Sequence, residues 1–209
     1  MSAIKITILS SGFVLLSSLS AYTYMYCQKK VKSRCFRHIP VTTSDLSKGD
    51  NVKYRKHIKT VVELIDKATR SVYITMYLFT IRDFCGALIR AQQRGVDVKI
   101  ILDGTMMNCM GSQKGKLAEG DIEIRCNTDL NFLIHHKFCL IDSDCKNWLT
   151  EFKSDAELPL QGILITGSQN WTRQATTGNW EYQLYTSSQA LVRRFHNEFM
   201  RMWEVFTPQ

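Results

Sequence analysis

Between residues 55 and 69, Ile58, Val61, Val62, Ile65 and Ala68 recur at helical spacing, which predicts an amphipathic helix. The pattern then changes. Ser71 to Phe79 is β-branched and aromatic, as a buried strand requires. Arg82 to Gln93 returns to helical spacing and stops at Gly95. Val96 to Leu102 reads as a buried strand, Gln113 to Glu119 as a short helix before Gly120, and Ile122 to Cys126 as another strand. Further strands are expected at Phe132 to Ile141, Gly162 to Thr166 and Trp180 to Thr186. A polar insertion from about Asp144 to Gln161 separates the first two, and connections of that length are uncommon without a role. From Ser188 onward, Leu191, Phe195, Phe199, Met202, Trp203 and Phe206 again follow the helical period and mark a final helix with a core-facing stripe. The alternation predicts an α/β domain, with no internal repeat and no low-complexity tract.

The N-terminus behaves differently. Ile6 to Tyr26 contains no charged residue, and a bilayer-spanning helix needs roughly 20 apolar-leaning residues. Tyr22, Tyr24 and Tyr26 would lie at the interface, followed by Lys29, Lys30, Lys32, Arg34 and Arg37. Basic residues on that side predict a single-pass anchor with the rest of the chain in the cytosol. Ser18-Leu19-Ser20-Ala21 also fits a signal-peptide cleavage site, which is the alternative. The expected organisation is an anchor over 1–28, a basic juxtamembrane linker over 29–52 and a folded domain over 53–209. A short, moderately apolar span with a basic flank suits the mitochondrial outer membrane, with the endoplasmic reticulum as the other candidate.

Composition refines this picture. With 209 residues, 44% hydrophobic and 22% charged, and only three prolines, the chain suits one globular domain with a short appendage. The net charge of +8 suggests an anionic partner until it is located. Lys5 and the five basic residues of the linker all precede the first acidic residue, Asp45; without them, 21 basic residues face 19 acidic ones. Most of the excess therefore belongs to the tether. Seven cysteines, Cys27, Cys35, Cys85, Cys109, Cys126, Cys139 and Cys145, form an odd set without repeating spacing, which fits a reducing compartment better than a disulfide framework. Cys35-x-x-His38 is half of a structural zinc site, and Cys85 is a candidate third ligand; a fourth is missing.

The chemistry concentrates in His135-His136-Lys137-Phe138-Cys139-Leu140-Ile141-Asp142. On a regular strand His135 and Lys137 share one face while His136 points away. An imidazole beside an ammonium supplies a nucleophile or general acid next to a charge suited to phosphate oxygens. Asp142 falls on the opposite face, where holding a turn or backbone amides suits it better. Two further segments follow in order. Gly167-Ser168-Gln169-Asn170 closes a strand and offers small residues and an amide to a phosphate, and Glu181 is a carboxylate able to accept the second ring N–H of a catalytic histidine. Each is a weak signal alone, and their order after His-x-Lys-x4-Asp makes the set specific.

His135, Lys137 and Asp142 resemble the HKD motif of the phospholipase D superfamily, and Gly167, Ser168 and Asn170 resemble its Gly-Ser-x-Asn element. Gly111-Ser112-Gln113, His135-His136-Lys137-Phe138, Thr166 to Thr172, Gly178 to Glu181 and Phe199 to Trp203 are similar to the Zucchini or mitochondrial phospholipase D group, over roughly residues 55 to 206. That resemblance implies a mixed β-sheet flanked by helices on both faces, and catalysis through a phosphohistidine without a divalent metal. It also implies a homodimer, because two HKD motifs are needed and the chain has one. His135, Lys137, Asp142, Asn170, Glu181 and Ser168 then form the catalytic set, with Lys137, Asn170, Lys114 and Arg173 binding substrate. Lys53, Arg55, Lys56, Lys59 and Lys116 are further candidates to line a groove. The implied substrate is single-stranded RNA, cut during piRNA precursor processing at the mitochondrial outer membrane beside piRNA-pathway proteins. A cardiolipin phosphodiesterase and a noncatalytic scaffold for RNA-processing factors are the alternatives.

Overall fold

The computed structural model describes residues 51–129, 131–144 and 162–209, all within the unit Arg37–Gln209. The expected anchor, nearly all of the linker and most of the polar insertion lie outside the described residues. No described helix is long and apolar enough to cross a membrane.

Among the described residues twelve elements follow one another: α1 (Asn51–Asp66), β1 (Ser71–Met76), α2 (Arg82–Gln93), β2 (Asp97–Leu102), α3 (Lys114–Glu119), β3 (Glu123–Cys126), β4 (Lys137–Ile141), β5 (Ile163–Gly167), α4 (Arg173–Thr177), β6 (Gln183–Thr186), α5 (Gln189–Val205) and β7 (Thr207–Pro208). The strands form one mixed sheet in the order β6-β5-β4-β1-β2-β3-β7. β1, β2 and β3 run parallel, and the other neighbours are antiparallel. Parallel neighbours need a crossover, which α2 and α3 supply.

Side-chain alternation divides the core between the two sheet faces. On one, α5 packs Phe199, Met202 and Trp203 against Tyr73, Ile101, Phe138, Leu140 and Leu164. Each such large apolar side chain, fully buried, contributes about 2 kcal/mol before chain entropy is counted. The rings interlock: Tyr73 stacks on Phe199 at 4.9 Å, and Phe199 on Trp203 at 5.6 Å. The other face carries Val72, Ile74, Met76, Ile100, Cys139 and Ile165, all buried. His57 of α1 fixes that side, bonding to Tyr185 of β6 and meeting Phe84 of α2 edge-on at 6.2 Å. Helices therefore flank both faces, as the family resemblance implies.

Register decides where the chemistry sits. Met76 lies opposite both Leu102 and Lys137, Phe138 opposite Thr166, and Gly167 opposite Gln183. The C-terminal ends of β1, β2 and β5 and the N-terminal ends of β4 and β6 thus share one sheet edge.

Three strands are shorter than the sequence predicts by three residues or more. β4 begins at Lys137 rather than Phe132, because the preceding backbone is taken by side chains: Ile134 N donates to Asp103 Oδ2 at 2.8 Å, and Asn127 Nδ2 donates to Phe132 O at 2.5 Å. β1 ends at Met76 rather than Phe79, since the chain turns off the sheet to bridge Phe79 to Trp171, where Thr80 N donates to Trp171 O at 2.9 Å. β6 begins at Gln183, and Trp180 stands exposed before it. The short α4 and the two-residue β7 carry too few residues for a periodic signal.

Candidate active site

His135 lies outside any strand, so the face-sharing expected from strand parity does not apply to it. Tertiary contacts bring it to Lys137 instead. The imidazole packs on the Tyr77 ring at 5.0 Å, and Lys137 Nζ stands 5.3 Å from the same ring while donating to His135 O at 2.8 Å. Tyr77 N donates to His136 O at 3.2 Å, which ties the segment to the end of β1. His136 turns the other way and meets Phe138 edge-on at 5.6 Å, toward α5. His135 is exposed, whereas Lys137 is buried. Burial pushes the Lys137 ammonium below the usual lysine range, and the Glu181 carboxylate opposes that shift.

Glu181 serves different partners from the one predicted for it. Its carboxylate accepts from Ser168 Oγ and from Asn179 Nδ2, the latter at 3.0 Å; within the chain no hydrogen bond joins it to the His135 ring. Ser168 Oγ in turn accepts from Tyr182 N at 3.2 Å, closing a link between the β5 and β6 ends. Gly167 is required by packing: a Cβ there would run into the Tyr182 carbonyl just before β6. Asn170 follows on the same loop, and its Oδ1 is shielded from solvent without a hydrogen-bond partner. The loop is then anchored by Thr172, whose hydroxyl accepts from Ala175 N at 3.1 Å and caps α4.

Asp142 stands apart from this group. Four strand residues separate it from Lys137, about 17 Å along β4, which removes it from the reacting centre. Its carboxylate accepts from the backbone N–H groups of Thr69, Arg70 and Ser71, the shortest at 2.7 Å to Arg70. Asp142 itself adopts φ +53°, so the carboxylate holds a tight reversal at the far sheet edge.

The basic candidates divide. Lys114 opens α3 and Arg173 opens α4, both at the His135 edge, while Lys59 pairs with Glu63 at 3.7 Å along α1. Lys56 and Lys116 are exposed, and the side chains of Lys53 and Arg55 lie outside the described residues. Cys85 is buried within α2, where burial raises its thiol pKa; Cys35 and His38 are outside the described residues. Among the described residues no cluster of three or more His, Cys, Asp or Glu is placed to hold a metal.

Tyr77, Asp103 and Asn127 are site residues that sequence reasoning missed, and none of them lies in a recognised motif. Asn179 lay inside the recognised segment Gly178 to Glu181 but was given no role of its own.

Together, a histidine, a buried lysine, a serine, an asparagine and a glutamate at one edge of a mixed α/β sheet make up an HKD-type arrangement. Residues 61–203 match the family described as cardiolipin synthase, PLD-like domain, and the chain belongs to this phospholipase D-like family. It is 37% identical over 155 residues to the mitochondrial cardiolipin hydrolase of Drosophila melanogaster, covering 72% of this chain and 60% of that protein. With the Homo sapiens protein of the same name it shares 34% over 141 residues, 68% of this chain and 48% of the relative. The chain thus spans about half to three-fifths of these relatives' length. Among solved structures, the phospholipase D family member Nuc from Salmonella typhimurium matches with a TM-score of 0.59 at 25% identity, covering 72% of this chain and 89% of that one. NucT from Helicobacter pylori shares the fold, with a TM-score of 0.61 at 22% identity over 76% of this chain and 94% of its own.

Proposed function

We propose that this chain is a metal-independent phosphodiesterase whose preferred substrate is single-stranded RNA. The observation that carries this reading is the convergence of His135 and Lys137 on Tyr77, at the sheet edge where Ser168, Asn170 and Glu181 also gather. A ring nitrogen of His135 attacks phosphorus, forming a P–N bond as the P–O bond to the departing 3′ oxygen breaks. The partner's His135 gives that oxygen a proton and then takes one from water, whose oxygen displaces the imidazole. The downstream RNA keeps a 5′-phosphate. Lys137 and Asn170 stabilise the charge on the non-bridging oxygens.

A single HKD copy makes this the chemistry of a homodimer. Its support lies around His135: Phe132, Leu133, Trp180, Tyr182 and Met110 are large, exposed and at the same edge. Large apolar side chains left exposed along one end of a sheet are what a self-complementary two-fold contact buries. This reading requires the resulting cleft, with Lys114 and Arg173 on its rim, to be narrow enough to take one strand and exclude a duplex. In this reading the N-terminal segment holds the enzyme on the mitochondrial outer membrane, catalytic domain in the cytosol, where it processes piRNA precursors beside piRNA-pathway proteins. The names of its relatives favour a second substrate, cardiolipin.

The test uses the full chain in detergent, with chelator present, on single-stranded RNA, duplex RNA and cardiolipin. Wild type is expected to cut the single strand, and His135→Ala to lose about 10⁴-fold or more. Cleavage of cardiolipin alone would replace RNA by lipid, and activity on neither would leave the scaffold reading.

A further inference from the structure

We infer that Asp103 is a positioning residue for the His135 nucleophile, an inference that rests on the reading of His135 given above. Asp103 follows the last residue of β2 and is fully buried, yet among the described residues it has no cationic partner. A carboxylate in that setting must be held by hydrogen bonds. Its two oxygens do different work. Oδ1 accepts from the backbone N–H of Thr105 at 3.0 Å and from the Thr105 hydroxyl, which builds its own local turn. Oδ2 reaches across the chain to Ile134 N at 2.8 Å, immediately before the nucleophile. The local turn accounts for one oxygen and leaves the other free to act at a distance.

That second contact matters because His135 has no strand beneath it. The segment is gripped on both sides of the imidazole: Asp103 takes the N–H of Ile134, and Tyr77 N donates to the carbonyl of His136 at 3.2 Å. The two grips are coupled through the sheet, since Asp103 N donates to Met76 O at 3.4 Å, next to Tyr77. Asn127 braces the loop further back, at Phe132 O, and Ile134 buries its side chain in the α5 core. Without the carboxylate, the backbone leading into His135 loses its nearest hydrogen bond on that side and keeps only the Asn127 brace two residues further back and the packing of the Ile134 side chain. An error of about 1 Å in a nucleophile's place can cost about 10²-fold in rate.

The experiment compares full-length wild type, Asp103→Asn and His135→Ala on a single-stranded oligoribonucleotide and on bis(4-nitrophenyl) phosphate, a small phosphodiester that needs no groove. The carboxamide keeps the volume and the Thr105 turn but turns an N–H toward Ile134. Turnover by Asp103→Asn is expected to fall about 10- to 100-fold on both substrates, with KM within about threefold of wild type. Exchange of the Ile134 amide should quicken about tenfold or more, in a protein that melts well above the assay temperature. Where the Asn variant does not fold, Asp103→Glu, which keeps the charge on a longer arm, is expected to show the same split with a smaller loss. Unchanged turnover, or a change in KM alone, overturns the positioning role. Equal turnover by wild type and His135→Ala would overturn the nucleophile reading instead.

Discussion

His57 gives the fold a specific acid weakness. Its Nδ1 lies 3.1 Å from the Tyr185 hydroxyl, which already donates to Gln183 Oε1 at 2.7 Å, so the ring must be the donor and carries its proton on Nδ1. Nε2 is buried without a partner. Protonating the ring places a second N–H there with no acceptor and no solvent, and burial accordingly lowers the pKa to about 4 from the usual 6.5. The folded value lies below the unfolded one, so the unfolded chain binds the extra proton first. Stability is complete above pH 6.5 and is lost as pH falls toward 4. Between about pH 7 and pH 4.5 the loss from this residue alone is about 2 kcal/mol. His136 and His196 are also lowered by burial and act in the same direction, so the wild-type curve alone does not isolate His57. His57→Asn does, because its amide can still donate to Tyr185 while carrying no titrating group. Urea unfolding of both proteins at the two pH values, followed by tryptophan fluorescence, should show the wild type losing about 2 kcal/mol more than the variant. A difference below about 0.5 kcal/mol would refute the argument.

Two other outcomes follow from named contacts. Asp142→Ala leaves three backbone N–H groups at the start of β1 without their acceptor and is expected to cost about 3 kcal/mol in urea unfolding; a loss under about 1 kcal/mol would remove the clamp from the account. Trp180→Glu puts a charge into the exposed apolar rim, so sedimentation should show a shift toward monomer, with activity falling in parallel. An active monomer would contradict the shared site.

Much of this protein was written locally. Helical spacing in α2 and α5 and the β-branched runs of β1 and β2 reflect which side must face a core, and that requirement acts on each segment separately. The ordered motifs at His135, Ser168 and Glu181 were legible for a similar reason, since each needs only a few adjacent residues. Parity correctly set His136 apart from Lys137, but it reached His135 by a premise the fold does not satisfy. The backbone before Lys137 departs from strand pairing because Asp103, 31 residues earlier, captures the N–H of Ile134. Glu181 likewise turns to Ser168 and Asn179 because β5 and β6 are antiparallel neighbours. Such pairings depend on which strands lie side by side. The sequence therefore determined most of the elements and the candidate reactive residues; only the tertiary structure decided what holds them, because a buried polar group must find its partner wherever the sheet order places one.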